Sequence, residues 1–238
     1  MREHHAGVLK AGDATPVTSE TIWPAASLGK PVFAAAVLGL VTERQFDLDR
    51  PLCEHAFEHA ASDDRTRRIT ARHVLSHTAG FPNWRNQPGQ ELPARFEPGS
   101  AFSYSGEGYY YLQRAVEHVT GLHPAGGSQA TDRLKMSSST YAWRDDVPER
   151  LAVGHDRGVP GSAGQHDLRP HRGRARQHGR SLDSFRFEDV RAAMADMPNA
   201  PAPLPNMMAP NVAGSLLTTA RDYASFAGLR CWMDLALR

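Results

Sequence analysis

A serine followed three residues later by a lysine, Ser27-Leu28-Gly29-Lys30, is the pattern with most chemical content in this 238-residue sequence. A serine hydroxyl attacks a carbonyl carbon poorly until a neighbouring base takes its proton. A lysine three positions on projects from the same face of a helix, so its amine can reach that hydroxyl. Burial and the positive end of a helix N-terminus both push such an amine towards its neutral, basic form. The same helix end favours an oxyanion on a substrate. Lysine occurs only at Lys10, Lys30 and Lys135, the remaining basic residues being arginine. The competing reading is an N-capping serine beside an exposed first-turn lysine, and four residues alone do not separate the two.

The surrounding elements must place this pair. Pro31 is tolerated only in a first helical turn, where its missing N–H is not needed, so a helix starts close to Ser27. The alanine-rich run from Val32 to Val41 is apolar on all sides, which predicts a buried central helix. Residues 6–23 read as a strand, a turn at Gly12-Asp13 and a polar approach, and Asp47 to Pro51 as a loop. Thr70 is a candidate N-cap for a helix from Ala71 to His77 closed by Gly80. Pro98-Gly99 turns the chain towards a helix that reaches Val119. Tyr109, Leu112, Val116 and Val119 fall at helical spacing there, and Gly121 stops it. Residues 155–181 are rich in Gly, Arg and His and lack periodicity, which reads as a mobile insertion. Pro198 to Pro210 is a proline-rich loop. Ala213 to Phe226 is a strand-like entry followed by a helix, with Thr219 or Ser215 as its cap.

A net charge of +1 gives no basic field for tracking nucleic-acid phosphates. Cys53 and Cys231 are expected as unpaired thiols. No signal-peptide pattern opens the sequence and no apolar run reaches membrane-spanning length, so a soluble cytoplasmic protein without membrane partners is expected. His73 with His77, and His55 with His59, have helical spacing that can hold a metal. Neither pair carries a catalytic glutamate between its members, and neither a metal nor a cofactor is expected. Trp23 and Trp84 are candidates for a cleft lining or for the core.

Four blocks occur in order: Ala25-Ala26-Ser27-Leu28-Gly29-Lys30-Pro31, Leu75-Ser76-His77-Thr78-Ala79-Gly80-Phe81, Pro98-Gly99-Ser100-Ala101-Phe102-Ser103-Tyr104, and Gly214-Ser215-Leu216-Leu217-Thr218-Thr219-Ala220-Arg221-Asp222-Tyr223. Together they resemble the class C β-lactamase-related serine hydrolases, a group that includes family VIII carboxylesterases and penicillin-binding-protein-like peptidases. The resemblance implies an α/β (α+β type) fold of the β-lactamase/transpeptidase kind: a mixed sheet flanked by helices, joined to a mostly helical lobe. It assigns 1–45 and 215–238 to the α/β part and 46–214 to the helical lobe of a single domain. It implies Ser27 as the acylated nucleophile. Lys30 and Tyr104 would share the proton, with the choice of formal base open and Tyr104 protonating the leaving group. The Ser27 N–H would be half of an oxyanion hole.

Two departures from the family pattern shape the functional expectation. The second motif is Tyr-x-Asn in β-lactamase members, and here reads Tyr104-Ser105-Gly106. That favours an esterase over a β-lactamase, because glycine offers no side-chain amide to orient a substrate carbonyl. The third motif, Lys/His/Trp-x-Gly, has no counterpart between Tyr223 and Arg238. The expectation is therefore a truncated member with an incomplete sheet. It is either a serine acyl hydrolase acting on small esters or amides, or a catalytically silent relative that only binds ligands or partners.

Overall fold

The computed structural model describes residues 3–55, 63–85, 91–121, 123, 129–156, 159–160 and 210–228, the side chains of 129, 155, 156, 159 and 160 excepted. Strand β1 (Ile22–Ala26) delivers the chain to helix α1 (Gly29–Thr42). With Pro31 in its first turn, α1 starts where the sequence predicts. It buries Val32, Phe33, Val37 and Leu40, as its apolar circumference requires. Helices α2 (Asp64–Arg67), α3 (Ala71–Leu75), α4 (Gly106–Thr120), α5 (Gln129–Arg133) and α6 (Val147–Arg150) follow. A two-residue hairpin comes next, β2 (His155–Asp156) with β3 (Val159–Pro160). Strand β4 (Leu216–Thr219) and helix α7 (Ala220–Gly228) complete the described elements.

β4 lies antiparallel to β1, pairing Ile22 with Thr219 and Trp23 with Thr218. The register shifts between Pro24 and Ala26. Proline has no N–H to give the ladder, and Ala26 leaves it with φ +46° just before Ser27. Single bridges extend the pair on both sides, Thr140 to Leu217 and Ile22 to Leu151. Val153 in turn donates its N–H to the Leu9 carbonyl. The sheet is thus rudimentary among the described residues.

Most helix boundaries follow from the capping chemistry. The Thr70 hydroxyl accepts the His73 N–H and the His73 imidazole accepts the Thr70 N–H, a reciprocal capping box. Ser105 caps α4 through the Gly108 N–H, and Gly121 ends it at φ +67°. Of the two candidate caps for α7, Thr219 accepts the Asp222 N–H, whereas Ser215 accepts the Asn211 N–H.

Two details differ from the sequence reading. α3 ends at Leu75 rather than His77, and His77 itself takes φ +58°. The Thr78 N–H donates to the His73 carbonyl and the His77 N–H to the Val74 carbonyl. This is a Schellman ending with a histidine where glycine is usual. Val119, at a core-facing period, is 39% exposed, while Tyr109, Tyr110 and Tyr111 are all buried. Most of 155–181 and of Pro198 to Pro210 lies outside the described residues, as do His59 and Cys231. Cys53 is a free thiol. Among the described residues no helix is long and apolar enough to cross a membrane.

Candidate active site

Ser27 sits in the turn between β1 and α1, with an exposed side chain. It does not cap the helix: Leu28 holds the N-cap position, and no side chain bonds there. The competing sequence reading therefore fails on both residues, because Lys30 is buried, only 4% exposed. Its Nζ donates to Ser27 Oγ at 3.0 Å and to the Ala213 carbonyl at 2.7 Å. Above it stand the rings of Tyr104, with centroid 4.7 Å away, and Tyr109, 5.8 Å away. Burial lowers the Lys30 pKa from the ordinary lysine value, partly offset by its hydrogen bond to Tyr104.

Tyr104 completes the group. Burial alone would raise its phenol, but hydrogen bonds to Lys30 and Ser27, with the Lys30 charge, bring it below the ordinary tyrosine value. The neighbouring Tyr109 has the opposite fate, pushed up to about 12 by burial and by Tyr104. Of the two phenols over Lys30, Tyr104 is thus the easier to ionise. All three residues singled out in the sequence, Ser27, Lys30 and Tyr104, are brought together.

Two supporting groups, His77 and Ala213, are not expected in this role from the sequence. The imidazole of His77 lies against the Tyr104 ring, centroids 4.4 Å apart at 32°, and also contacts Tyr109 and Phe102. Its Nδ1 accepts the Ser105 N–H at 3.1 Å, next to Tyr104 in sequence. An imidazole nitrogen that accepts an N–H is unprotonated, so the proton of neutral His77 is on Nε2. Burial and the Lys30 charge both lower the His77 pKa. Ala213 contributes only a backbone carbonyl, which no motif could announce.

Gly106 shows how the second motif differs here. A Cβ at this position would overlap the Trp84 indole. The Gly106 N–H donates to both the Asn83 carbonyl and Asn83 Oδ1, each at 3.0 Å. Trp84 is thus partly buried against the core and fills the space beside the start of α4, while Trp23 is 41% exposed. His73 is committed to its capping box, and His55 stacks on Phe46. Among the described residues no group of three His, Cys, Asp or Glu side chains is arranged to hold a metal.

With this geometry in view, comparison with known proteins gives the family. The model of the beta-lactamase family matches residues 2–237. The chain belongs to the beta-lactamase family. Esterase EstB of Burkholderia gladioli is 27% identical over 174 residues, 61% of this chain and 44% of its own length. Penicillin-binding protein 4 of Amycolatopsis lactamdurans is 29% identical over 136 residues, 51% of this chain and 36% of its own. The matches thus span less than half the length of these curated relatives. Among solved structures, a penicillin-binding protein from Bacillus halodurans superposes with a TM-score of 0.62 at 19% identity. That match covers 98% of this beta-lactamase-family chain and 66% of the other. A class C beta-lactamase from Rhodobacter sphaeroides gives a TM-score of 0.60 at 16% identity, covering 92% and 54%. These likenesses establish the β-lactamase/transpeptidase-like fold.

Proposed function

We propose that this chain is an esterase-type serine acyl hydrolase that forms an acyl-enzyme on Ser27, with Lys30 and Tyr104 as general base and acid. The observation that carries the reading is the buried Lys30 amine 3.0 Å from the exposed Ser27 hydroxyl. When Lys30 is neutral, one N–H stays on the Ala213 carbonyl and the lone pair turns to the Ser27 hydroxyl. Ser27 Oγ then bonds to the substrate carbonyl carbon as its proton passes to Lys30 or to an ionised Tyr104. The carbonyl π pair moves onto oxygen, where the Ser27 N–H supports it. Collapse of the tetrahedral intermediate expels the alcohol, which takes its proton from Tyr104. Water, deprotonated by the same pair, releases the acid.

Small esters and amides are the substrate class. Gly106 with Trp84 above it supplies no side-chain amide beside Tyr104, which supports esters over β-lactams. The named esterase among the relatives agrees with that choice. In this reading the α/β part, 1–45 with 215–238, brings Ser27 and Lys30, and the helical lobe, 46–214, brings Tyr104 and Ala213. A net charge of +1 gives no support for a nucleic-acid partner.

A second reading is a silent relative that binds ligands only. Fluorophosphonate labelling beside p-nitrophenyl ester turnover separates the two. The hydrolase reading expects labelling at Ser27 that Ser27→Ala abolishes, with turnover down at least about a thousandfold. Folded protein that neither labels nor turns over ester supports the silent reading.

A further inference from the structure

Gln113, nine residues beyond Tyr104 on α4, is 2% exposed and spends its whole amide on another part of the chain and on its own helix. Its Oε1 accepts the Val212 N–H at 2.9 Å. Its Nε2 donates to Glu117 Oε1 at 2.9 Å and to the Pro210 carbonyl at 3.3 Å. The amide orientation follows from the partners: a carboxylate and a carbonyl only accept, and a backbone N–H only donates. Glu117 is held in turn by His123, 2.6 Å from the same carboxylate oxygen.

The segment gripped this way is the one that meets Lys30. Asn211, fully buried, closes a tight turn: its Oδ1 accepts the Ala213 N–H at 3.1 Å, and its N–H donates to Ser215 Oγ at 3.1 Å. Its carbonyl accepts the Ser215 N–H at 3.0 Å. With Val212 fixed by Gln113 and Ala213 fixed by Asn211, the Ala213 carbonyl has one direction to point, towards Lys30 Nζ at 2.7 Å. A buried amine has no water to orient it, so that carbonyl decides where the lone pair faces when the amine is neutral.

We infer that Gln113 is a positioning residue for the proposed reaction: it sets the Ala213 carbonyl that aims Lys30 at Ser27. The inference rests on the acyl-hydrolase reading for its effect on rate, but not for its effect on Lys30. Gln113→Met keeps the side-chain length and removes both hydrogen-bonding ends. It frees the 210–213 segment and admits water to the amine, which relieves the burial that depresses the Lys30 pKa.

The test uses the full chain. Fluorophosphonate labelling of Ser27 and kcat for a p-nitrophenyl ester are expected to fall together about tenfold in Gln113→Met. KM should stay within about twofold, because Gln113 does not face substrate. The ascending limb of the pH profile should move to higher pH. The exchanged pair Gln113→Glu with Glu117→Gln retains an acceptor for the Val212 N–H and an amide–carboxylate contact. It is expected to recover the labelling rate to within about threefold. Unchanged labelling in folded Gln113→Met overturns the inference. If that variant fails to fold, an exchanged pair that folds but labels about tenfold slower overturns it.

Should the wild-type chain itself not label, the hydrolase reading fails. The inference is then read by the 13Cε shift of Lys30 in a chain with only three lysines. An upward move of its titration midpoint in the variant supports the inference, and no move overturns it.

Discussion

In the proposed reaction two groups beside the Ser27 hydroxyl, Lys30 and Tyr104, compete for its proton, and the direction of the Lys30 shift says how the rate must depend on pH. Burial holds Lys30 below its ordinary value of 10.5, and where Lys30 is the base of the proposed reaction the active form is the neutral amine. The fraction of neutral amine grows as pH rises, so kcat/KM is expected to climb with pH and level off with a midpoint below 10.5. A rate that falls as pH rises, or whose ascending midpoint lies at or above 10.5, would remove a depressed Lys30 from the mechanism. His77 tests the support beneath Tyr104. Its folded pKa lies below the ordinary 6.5, so between the folded value and 6.5 the unfolded chain binds more protons. Stability is therefore lost as pH falls through that window. Asparagine accepts an N–H through Oδ1 and tolerates positive φ. His77→Asn should therefore fold at neutral pH and show a smaller drop in Tm between pH 7 and 5 than the parent chain. At this scale the Ser27–Lys30 pair was legible from residue type and spacing, and Tyr104 from the resemblance that the third block carries. The Ala213 carbonyl was not, since any residue type has one.

Elements explain why those groups hold their distances. The α1 N-terminus is clamped through Gly29. A Cβ on Gly29 would sit 2.6 Å from Tyr141 Cε1 and 2.9 Å from the Val212 carbonyl oxygen. Tyr141, wholly buried, also donates its hydroxyl to the Gly29 carbonyl at 2.6 Å. Gly29→Ala is accordingly expected to cost about 1–3 kcal/mol, read as a lowered urea midpoint. It should also slow Ser27 labelling, because the displaced helix start carries Lys30 and adjoins the turn that holds Ser27.

Helix starts were readable from Pro31 and Thr70, and the end of α4 from Gly121, because each acts through a local conformational preference. The end of α3 was not. Arg44 and Lys135 share its feature, with φ +58° and +56°. At both, as at His77, a Schellman pair of hydrogen bonds holds a left-handed residue without glycine. Tertiary and hydrogen-bond energy there outweighs a penalty of about 1–2 kcal/mol per residue, and propensity alone points elsewhere.

At the scale of the whole molecule, the four sequence blocks converge because β1 and β4 lie side by side. The first block and the fourth are neighbours in the sheet. α4 reaches across to grip the approach to β4 through Gln113. Asp222 on α7 accepts from the Ser138 N–H and the Ser139 hydroxyl, tying the helix after β4 to the bridge beside it. The family and its fold were legible from those blocks, because the residues they hold are the ones that meet. The extent of the sheet was less so: single bridges at Leu151 and Thr140 take the place of full strands, and short pairings leave little alternation in a sequence.

The Ala213 carbonyl reaches Lys30 across a separation of 183 residues. Contacts that distant form late, after the local helices have closed, because the loop entropy they require must first be offset by nearer contacts. Until then Lys30 is solvated and keeps its proton. In the proposed reaction, Ser27 therefore gains its base only once this contact has formed, so acylation of Ser27 would report that the two distant segments have already met.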